Sequence, residues 1–178
     1  SQWWFYNMVN RNNIKDKLLV FLHTTFTISS GDVGASHYFY DHLRLLQYFS
    51  SGNLKELAKK ITLDNAMLNY LDNTQNNANN PNENYAREFL ELFTITKGEQ
   101  IGEGDYSTYT EDDVIMAAKV FSGFKTKLDR TIIDPDTGIP MGRISVNQHD
   151  QSTKTFSHAF DNYQLAGGTD ENTIMSEL

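Results

Sequence analysis

The sequence contains no cysteine, and it is poor in proline, with 3, and in histidine, with 5, among its 178 residues. The absence of cysteine excludes disulfide bonds, thiolate nucleophiles and zinc sites built on cysteine. It fits either the cytosol or an exported protein that folds without disulfides, so it leaves the compartment open. No apolar run approaches the roughly 20 residues that a membrane-spanning helix requires, and the sequence therefore predicts no transmembrane segment.

Basic residues are also scarce: 15 lysines and arginines stand against 23 aspartates and glutamates, which gives a net charge of -8. Affinity for nucleic acid depends largely on cationic side chains that neutralise phosphates, so this composition argues against a nucleic-acid-binding protein. The motifs GxSxG, HExxH and GxGxxG and the P-loop are absent from the sequence. Their absence argues against the enzyme classes that those motifs mark.

Apolar and aromatic residues are plentiful, at 39% and 12% of the sequence, which indicates a globular protein with a core. A chain of this length fits one domain. Amphipathic sequence starts at once, and near the other end Thr169 or Asp170 would cap a helix that has barely begun. We expect a single domain over 1–178 or a fragment of a longer helical domain, with a helical body over 1–124 and a β ribbon and tail over 125–178.

Residues at helical spacing predict about seven helices. Trp3, Trp4 and Met8 indicate a short first helix, and the second is expected from Ile14 to about Ser29. The starts of four later helices are marked by residues that favour a helix N-terminus: Ser36, Asn53 with Glu56, Asp64, and Thr110 with Asp113.

The segment DPDTG, 134–138, predicts a tight turn, because its proline and glycine occupy positions that suit a hairpin with a bulge. It lies between TKLDRTIID and GIPMGRISVNQ, which we expect to be the two strands of a ribbon. The predicted fold class is mainly α: an orthogonal bundle of about seven helices, with a small two-stranded β ribbon near the C-terminal end.

The stretch NPNENYAREFLELFT, 80–94, predicts a helix whose two faces differ completely. On a helical wheel one arc is apolar and the other is polar: Tyr85, Ala86, Phe89, Leu90, Leu92 and Phe93 against Glu83, Asn84, Arg87, Glu88 and Glu91. Arg87 lies four residues from both Glu83 and Glu91, so one guanidinium can bridge two carboxylates.

Two interpretations of this polar face stay open. In the first it is a solvated, salt-bridged helix surface. In the second it is an acidic cluster in a cleft, where Glu83, Glu88 or Glu91 acts as a base and Arg87 holds an anion. Asn82 and Asn84 would then bind the ligand beside them.

The asparagine-rich tract before this helix carries oxygen atoms at the spacing of a calcium loop. With Asp72 as the first position, Asn76 is the fifth and Glu83 the twelfth, so these residues are candidate metal ligands and calcium is a candidate cofactor. Asn77 stands where such loops have glycine, and Pro81 lies near the end of the loop. The alternative is a loop whose asparagines bond their own backbone.

Histidines offer two further candidates. His23 sits among apolar residues of the second helix, where a core histidine with one satisfied partner and a ligand-binding residue are both open interpretations. His149 follows the predicted ribbon. Together with Asp150 and Lys154 it would either form part of a catalytic or ligand-binding site or close the ribbon.

The sequence resembles the bacterial family called domain of unknown function 1800. The resemblance rests on the segments WWFYNMV, FLHTTF, AMLNYLDNTQN, NPNENYAREFLELFTI, YTEDDVIMAAKVFSGF and HDQSTKTF, in that order. It implies an exported protein and a sulfatase-like partner, and it supplies no activity. Relatives tend to carry tryptophan and histidine where this sequence has Leu22 and Thr25, so a two-histidine metal site does not carry over.

Two functions follow as hypotheses. The first is an extracytoplasmic, periplasmic or extracellular, binding or accessory module that recognises a polar ligand such as a glycan. The second is a hydrolase-like enzyme that uses the Glu83, Glu88, Glu91 and Arg87 cluster, with or without a divalent metal.

Overall fold

The computed structural model describes residues 6, 9–11 and 13–178. The short helix that Trp3, Trp4 and Met8 predict lies outside these residues. None of the helices in the described part of the chain is long and apolar enough to cross a bilayer.

The described residues form seven α-helices. Their bounds are α1 Ile14–Thr25, α2 Ser36–Tyr48, α3 Leu54–Ile61, α4 Asn65–Tyr70, α5 Asn84–Glu88, α6 Glu111–Val120 and α7 Glu171–Met175. A π-helical turn, Phe89–Thr94, continues α5 directly. The mainly α fold class is therefore confirmed.

Three antiparallel ribbons accompany the helices where one was predicted. They pair β1 Gln100–Gly102 with β2 Asp105–Tyr106, β3 Phe124–Lys125 with β4 Arg143–Ile144, and β5 Lys154–Thr155 with β6 Gln164–Leu165. The strands are too short for the alternation of apolar and polar residues that marks a strand in sequence. The first of these ribbons lies in a glycine-rich segment between the π turn and α6, where the sequence predicted no strand.

Side-chain caps explain where the helices begin. Asn53 accepts a hydrogen bond from the backbone N–H of Lys55 at 2.8 Å and so starts α3. Asp64 accepts from Met67 N at the start of α4, at 3.2 Å. Thr110 and Asp113 form both halves of the predicted capping box on α6. At α2 the prediction differs, because the cap is Ala35, without a side-chain bond, and Ser36 is the first helical residue.

The predicted turn at 134–138 forms, but the strands on either side of it pair at one bridge, Ile133 with Pro140. The Asp134 carboxylate organises the turn by accepting from Asp136 N at 3.2 Å and from the Thr137 hydroxyl at 2.9 Å. The β3–β4 ladder forms further out, with Phe124 opposite Ile144.

The apolar side of α5 packs into one hydrophobic cluster that extends from Leu19 to Ile174. Tyr85 lies edge-on to Phe121 at 5.0 Å between ring centroids, and Phe93 lies 5.1 Å from Phe26. Leu92, predicted on the same arc, is 60% exposed. The i→i+5 bonding of the π turn changes the rotation per residue, which carries Leu92 outward.

Candidate functional site

Arg87 makes a bidentate salt bridge to Glu111, the first residue of α6. Its Nη1 lies 3.0 Å from Glu111 Oε1, and its Nη2 lies 2.7 Å from Glu111 Oε2. The predicted partners are further away, with Glu83 at 3.3 Å and Glu91 at 3.7 Å. Sequence reasoning missed Glu111 because it lies 24 residues from Arg87 along the chain. The bridge joins α5 to α6.

Glu91 extends this network towards the first ribbon. Its Oε1 accepts a hydrogen bond from the buried Tyr109 hydroxyl and lies 3.2 Å from the Lys97 ammonium. Burial, together with the bond to Glu91, raises the pKa of Tyr109 to about 12. The hydrogen bonds from Arg87 lower the pKa of Glu111. Glu83, Glu91 and Glu111 are therefore each in contact with a cation, whereas Glu88 makes no salt bridge within the described part of the chain.

The asparagine tract is ordered by its own side chains. Asn76 is wholly buried. Its side-chain amide donates to the Ala118 carbonyl oxygen at 2.8 Å, and its side-chain oxygen accepts from Asn82 N at 3.0 Å. Asn84 donates to the Leu71 carbonyl at 3.1 Å. Asp72 accepts from the Gln75 amide at 3.2 Å. These bonds engage the side chains of Asp72 and Asn76, as Arg87 engages that of Glu83.

The calcium hypothesis therefore requires Asn76 to exchange its backbone partners for a metal. Among the described residues, no group of three or more histidine, aspartate and glutamate side chains is arranged to hold a metal ion. Calcium binding stays a prediction, as does the hydrolase that would use a divalent ion.

His23 is half-buried beside the wholly buried His42, with 5.9 Å between the ring centroids. Burial lowers the pKa of His23, and the neighbouring His42 lowers it further. His42 itself bridges two segments: Nδ1 lies 2.6 Å from Asp64 Oδ2, and Nε2 lies 3.0 Å from the Phe26 carbonyl oxygen. These two contacts of His42 hold Phe26, at the end of α1, close to Asp64, the cap of α4.

His149 and Lys154 meet at a buried carboxylate, Glu177. His149 Nε2 lies 3.1 Å from Glu177 Oε1, and Lys154 Nζ lies 3.0 Å from Oε2. The exposed fractions of the three side chains are 0%, 0% and 1%. Asp150, the other residue predicted here, turns its carboxylate to Ser152. The sequence did not predict Glu177 as a site residue, because nothing in the residues around it indicates that this glutamate is buried.

The partners of Glu177 set its acidity. Burial alone raises the pKa of the carboxyl, but hydrogen bonds from His149, from the Gly168 backbone and from Lys154 outweigh burial and lower the pKa below its ordinary value. A lowered pKa in the folded state means that the ionised carboxylate stabilises the fold.

We predict that the protein loses stability in acid for this reason. The contribution of Glu177 is fully present above the pKa of about 4.3 that an unfolded glutamate has, and it disappears as the pH falls through the lowered pKa of the folded state. Melting temperatures measured between neutral pH and pH of about 2 should therefore fall less in a Glu177→Gln variant than in the wild type. The matched Glu111→Gln variant should change the profile less, because the Glu111 side chain is 39% exposed and solvent screens it. Parallel profiles for wild type and Glu177→Gln would contradict the prediction.

A groove of about 840 Å³ opens on the surface between α3, the π turn, α6 and the β5–β6 connection. Five aromatic residues line its wall: Phe89, Phe121, Phe156, Phe160 and Tyr163. They form two pairs, with centroids 4.9 Å apart for Phe89 and Phe121 and 5.3 Å apart for Phe156 and Phe160. Tyr163 is 60% exposed at the rim. The size and lining are those of ligand sites.

Polar residues also line the groove: Lys55, Lys59, Thr62, Asp161, Ser176 and Glu177. A smaller cavity, of about 350 Å³, adjoins it, since Lys59 and Leu178 line both. Lys60 lies in this smaller cavity and binds Asp134 at 2.7 Å and Asp136 at 2.6 Å.

The aromatic groove, Arg87 and His149 stand apart from one another. Arg87 and His149 belong to separate hydrogen-bond networks and do not line the groove, whereas Glu177 links the His149 network to it. Glu88 lines a third cavity, beside Thr25 and Leu92. The sequence did not predict the groove, because residues from five separate segments of the chain line it.

A family model described as "Protein of unknown function (DUF1800)" matches residues 1–173. No curated protein and no solved structure matches the chain.

Proposed function

Because the chain belongs to the DUF1800 family, whose description assigns no activity, we propose a function from the geometry of the groove: an extracytoplasmic binding or accessory module that recognises a glycan. The observation that carries the proposal is the aromatic wall. A sulfatase-like partner and a location outside the cytoplasm belong to the proposal, and the absence of cysteine is compatible with that location.

Sugars present two kinds of surface, and the groove has a counterpart for each. The C–H faces of a sugar ring are apolar and stack on aromatic rings. The partly exposed rings of Phe89, Phe156 and Phe160 and the exposed ring of Tyr163 offer such faces along the groove, whereas Phe121 is buried against Phe89. Hydroxyl groups need donors and acceptors, which the exposed residues Asp161 and Ser176 supply in the lining of the groove.

The Arg87 cluster supports a hydrolase less well. Both terminal nitrogens of Arg87 are bonded to Glu111, at 3.0 and 2.7 Å, so the guanidinium would have to leave this partner before it held a substrate anion. Glu91 is likewise bonded to Tyr109 and Lys97. These contacts make the cluster a salt-bridged clasp that ties α5 and the π turn to α6 and to Lys97 and Tyr109, which lie on either side of the first ribbon.

We predict that removing the rim aromatics weakens glycan binding. Tyr163→Ala and Phe160→Ala should each lower affinity about 3- to 10-fold, which corresponds to roughly 0.5–1.5 kcal/mol for one aromatic contact. Glycan-array screening followed by calorimetric titration with the selected hexasaccharides measures the effect.

The matched control is Tyr40→Ala, which removes a tyrosine that is 51% exposed on α2 and does not line the groove. This variant should bind like the wild type. Failure of every sugar on the array to bind, or unchanged affinity in both Tyr163→Ala and Phe160→Ala, would overturn the proposal.

A further inference from the structure

The lysines of α3 differ in their partners. Lys60 is neutralised by Asp134 and Asp136, at 2.7 and 2.6 Å. Lys55 and Lys59 lie four residues apart, which places them on the same side of the helix, and both line the groove. In the described part of the chain neither has a carboxylate within ion-pair distance. Two cations therefore face the groove without a counter-charge.

The carboxylates of the groove offset these cations only in part. Glu177 lines it, but its two oxygens are bonded to His149 at 3.1 Å and to Lys154 at 3.0 Å. Asp161 is exposed, in the tight turn between β5 and β6, where its φ of 53° is left-handed. Asp161 makes no salt bridge within the described part of the chain, so two lysines, Lys55 and Lys59, stand against one uncompensated carboxylate. The groove thus keeps a local excess of positive charge in a chain whose net charge is -8.

We infer that the glycan is acidic: a sugar chain whose rings stack on the aromatic wall while its carboxylate or sulfate groups bind Lys55 and Lys59. This inference rests on the proposed function and adds the charge of the ligand. A neutral glycan would accept hydrogen bonds from these two ammonium groups but would bring no opposite charge to them. An anionic group gains a charge-assisted hydrogen bond from each ammonium, and each such bond is stronger than one between neutral groups.

The test is calorimetric titration of the whole chain with three hexasaccharides: a hexagalacturonate, a sulfated hexasaccharide and a neutral mannohexaose. The wild type should bind at least one acidic sugar more tightly than the neutral one, and the affinity should fall as salt is raised. The double variant Lys55→Gln/Lys59→Gln should bind that acidic sugar on the order of tenfold more weakly. The two acidic sugars distinguish carboxylate from sulfate.

The double variant Lys15→Gln/Lys17→Gln, with two exposed lysines of α1 changed, has the same loss of charge outside the groove and should bind like the wild type. Melting curves establish that both double variants are folded. Equal affinity for acidic and neutral sugars, or acidic binding that persists in Lys55→Gln/Lys59→Gln, would overturn the inference and leave the proposed function standing. Failure of all three sugars, and of the array, overturns both.

Discussion

Replacing Glu177 with alanine is expected to lower the free energy of unfolding by about 3–5 kcal/mol, the usual cost of removing one partner from a buried ion pair. The reason is Lys154, whose side chain is 0% exposed and which has Glu177 as its carboxylate partner at 3.0 Å. In the variant its ammonium keeps the Asp150 carbonyl oxygen but remains buried without a counter-charge. Urea unfolding followed by circular dichroism measures the change.

Two further variants separate the ion pair from a general effect of the segment. Glu171→Ala changes an exposed glutamate of α7 and should cost less than about 1 kcal/mol. The double variant Glu177→Ala/Lys154→Met should be more stable than Glu177→Ala alone, because it removes the orphaned charge as well. If Glu177→Ala were no less stable than Glu171→Ala, the Glu177 ion pair would not have the role described here.

The second large effect is expected at Asp113. This wholly buried carboxylate accepts four hydrogen bonds: from Thr110 N at 2.8 Å, the Thr110 hydroxyl at 3.0 Å, Ser157 N at 2.7 Å and the Ser157 hydroxyl at 2.6 Å. Asp113→Ala should cost about 3–5 kcal/mol, because it removes the capping box of α6 and leaves buried donors without acceptors.

The same variant is expected to weaken glycan binding. Ser157 lies between Phe156 and Phe160 in sequence, so its two bonds to Asp113 fix the part of the wall that carries this ring pair. Asp113→Asn keeps one acceptor oxygen and should fall between wild type and Asp113→Ala in both stability and affinity. Asp112→Ala changes the exposed neighbour and should alter stability by less than about 1 kcal/mol. Wild-type affinity in a folded Asp113→Ala protein would contradict the link to the groove.

Hydrogen bonds between residues close together in the sequence could be predicted, and salt bridges between residues far apart in the sequence could not. Asn53, Asp64 and the Thr110 capping box act within three residues of themselves, so their spacing is sufficient to place the helix starts. Arg87 meets Glu111 across 24 positions, and His149 meets Glu177 across 28. Such pairs depend on how helices pack, which residue spacing does not encode.

The candidate site divides in the same way. The charged residues around Arg87 were predicted from four-residue spacing, and two of the expected contacts are present. Such a cluster can line a cleft that binds a ligand, or its side chains can bind one another and join helices. Which of the two applies depends on further neighbours, such as Tyr109 and Lys97, which come from another part of the chain. The groove had no single motif, because its aromatic residues are dispersed from Phe89 to Tyr163.

The π turn at Phe89–Thr94 makes one continuous helix serve two surfaces. Before it, Arg87 is directed to Glu111; within it, Phe89 and Leu90 line the groove. Returning the segment to regular α geometry without changing its length would rotate everything after it by roughly 100° relative to everything before it, because an i→i+5 turn holds about one residue more than an α turn. The length and the π geometry of this segment are therefore matched: substitutions along it change single contacts, whereas a change that turned all six residues into regular α-helix would alter which side chains face Glu111 and which line the groove.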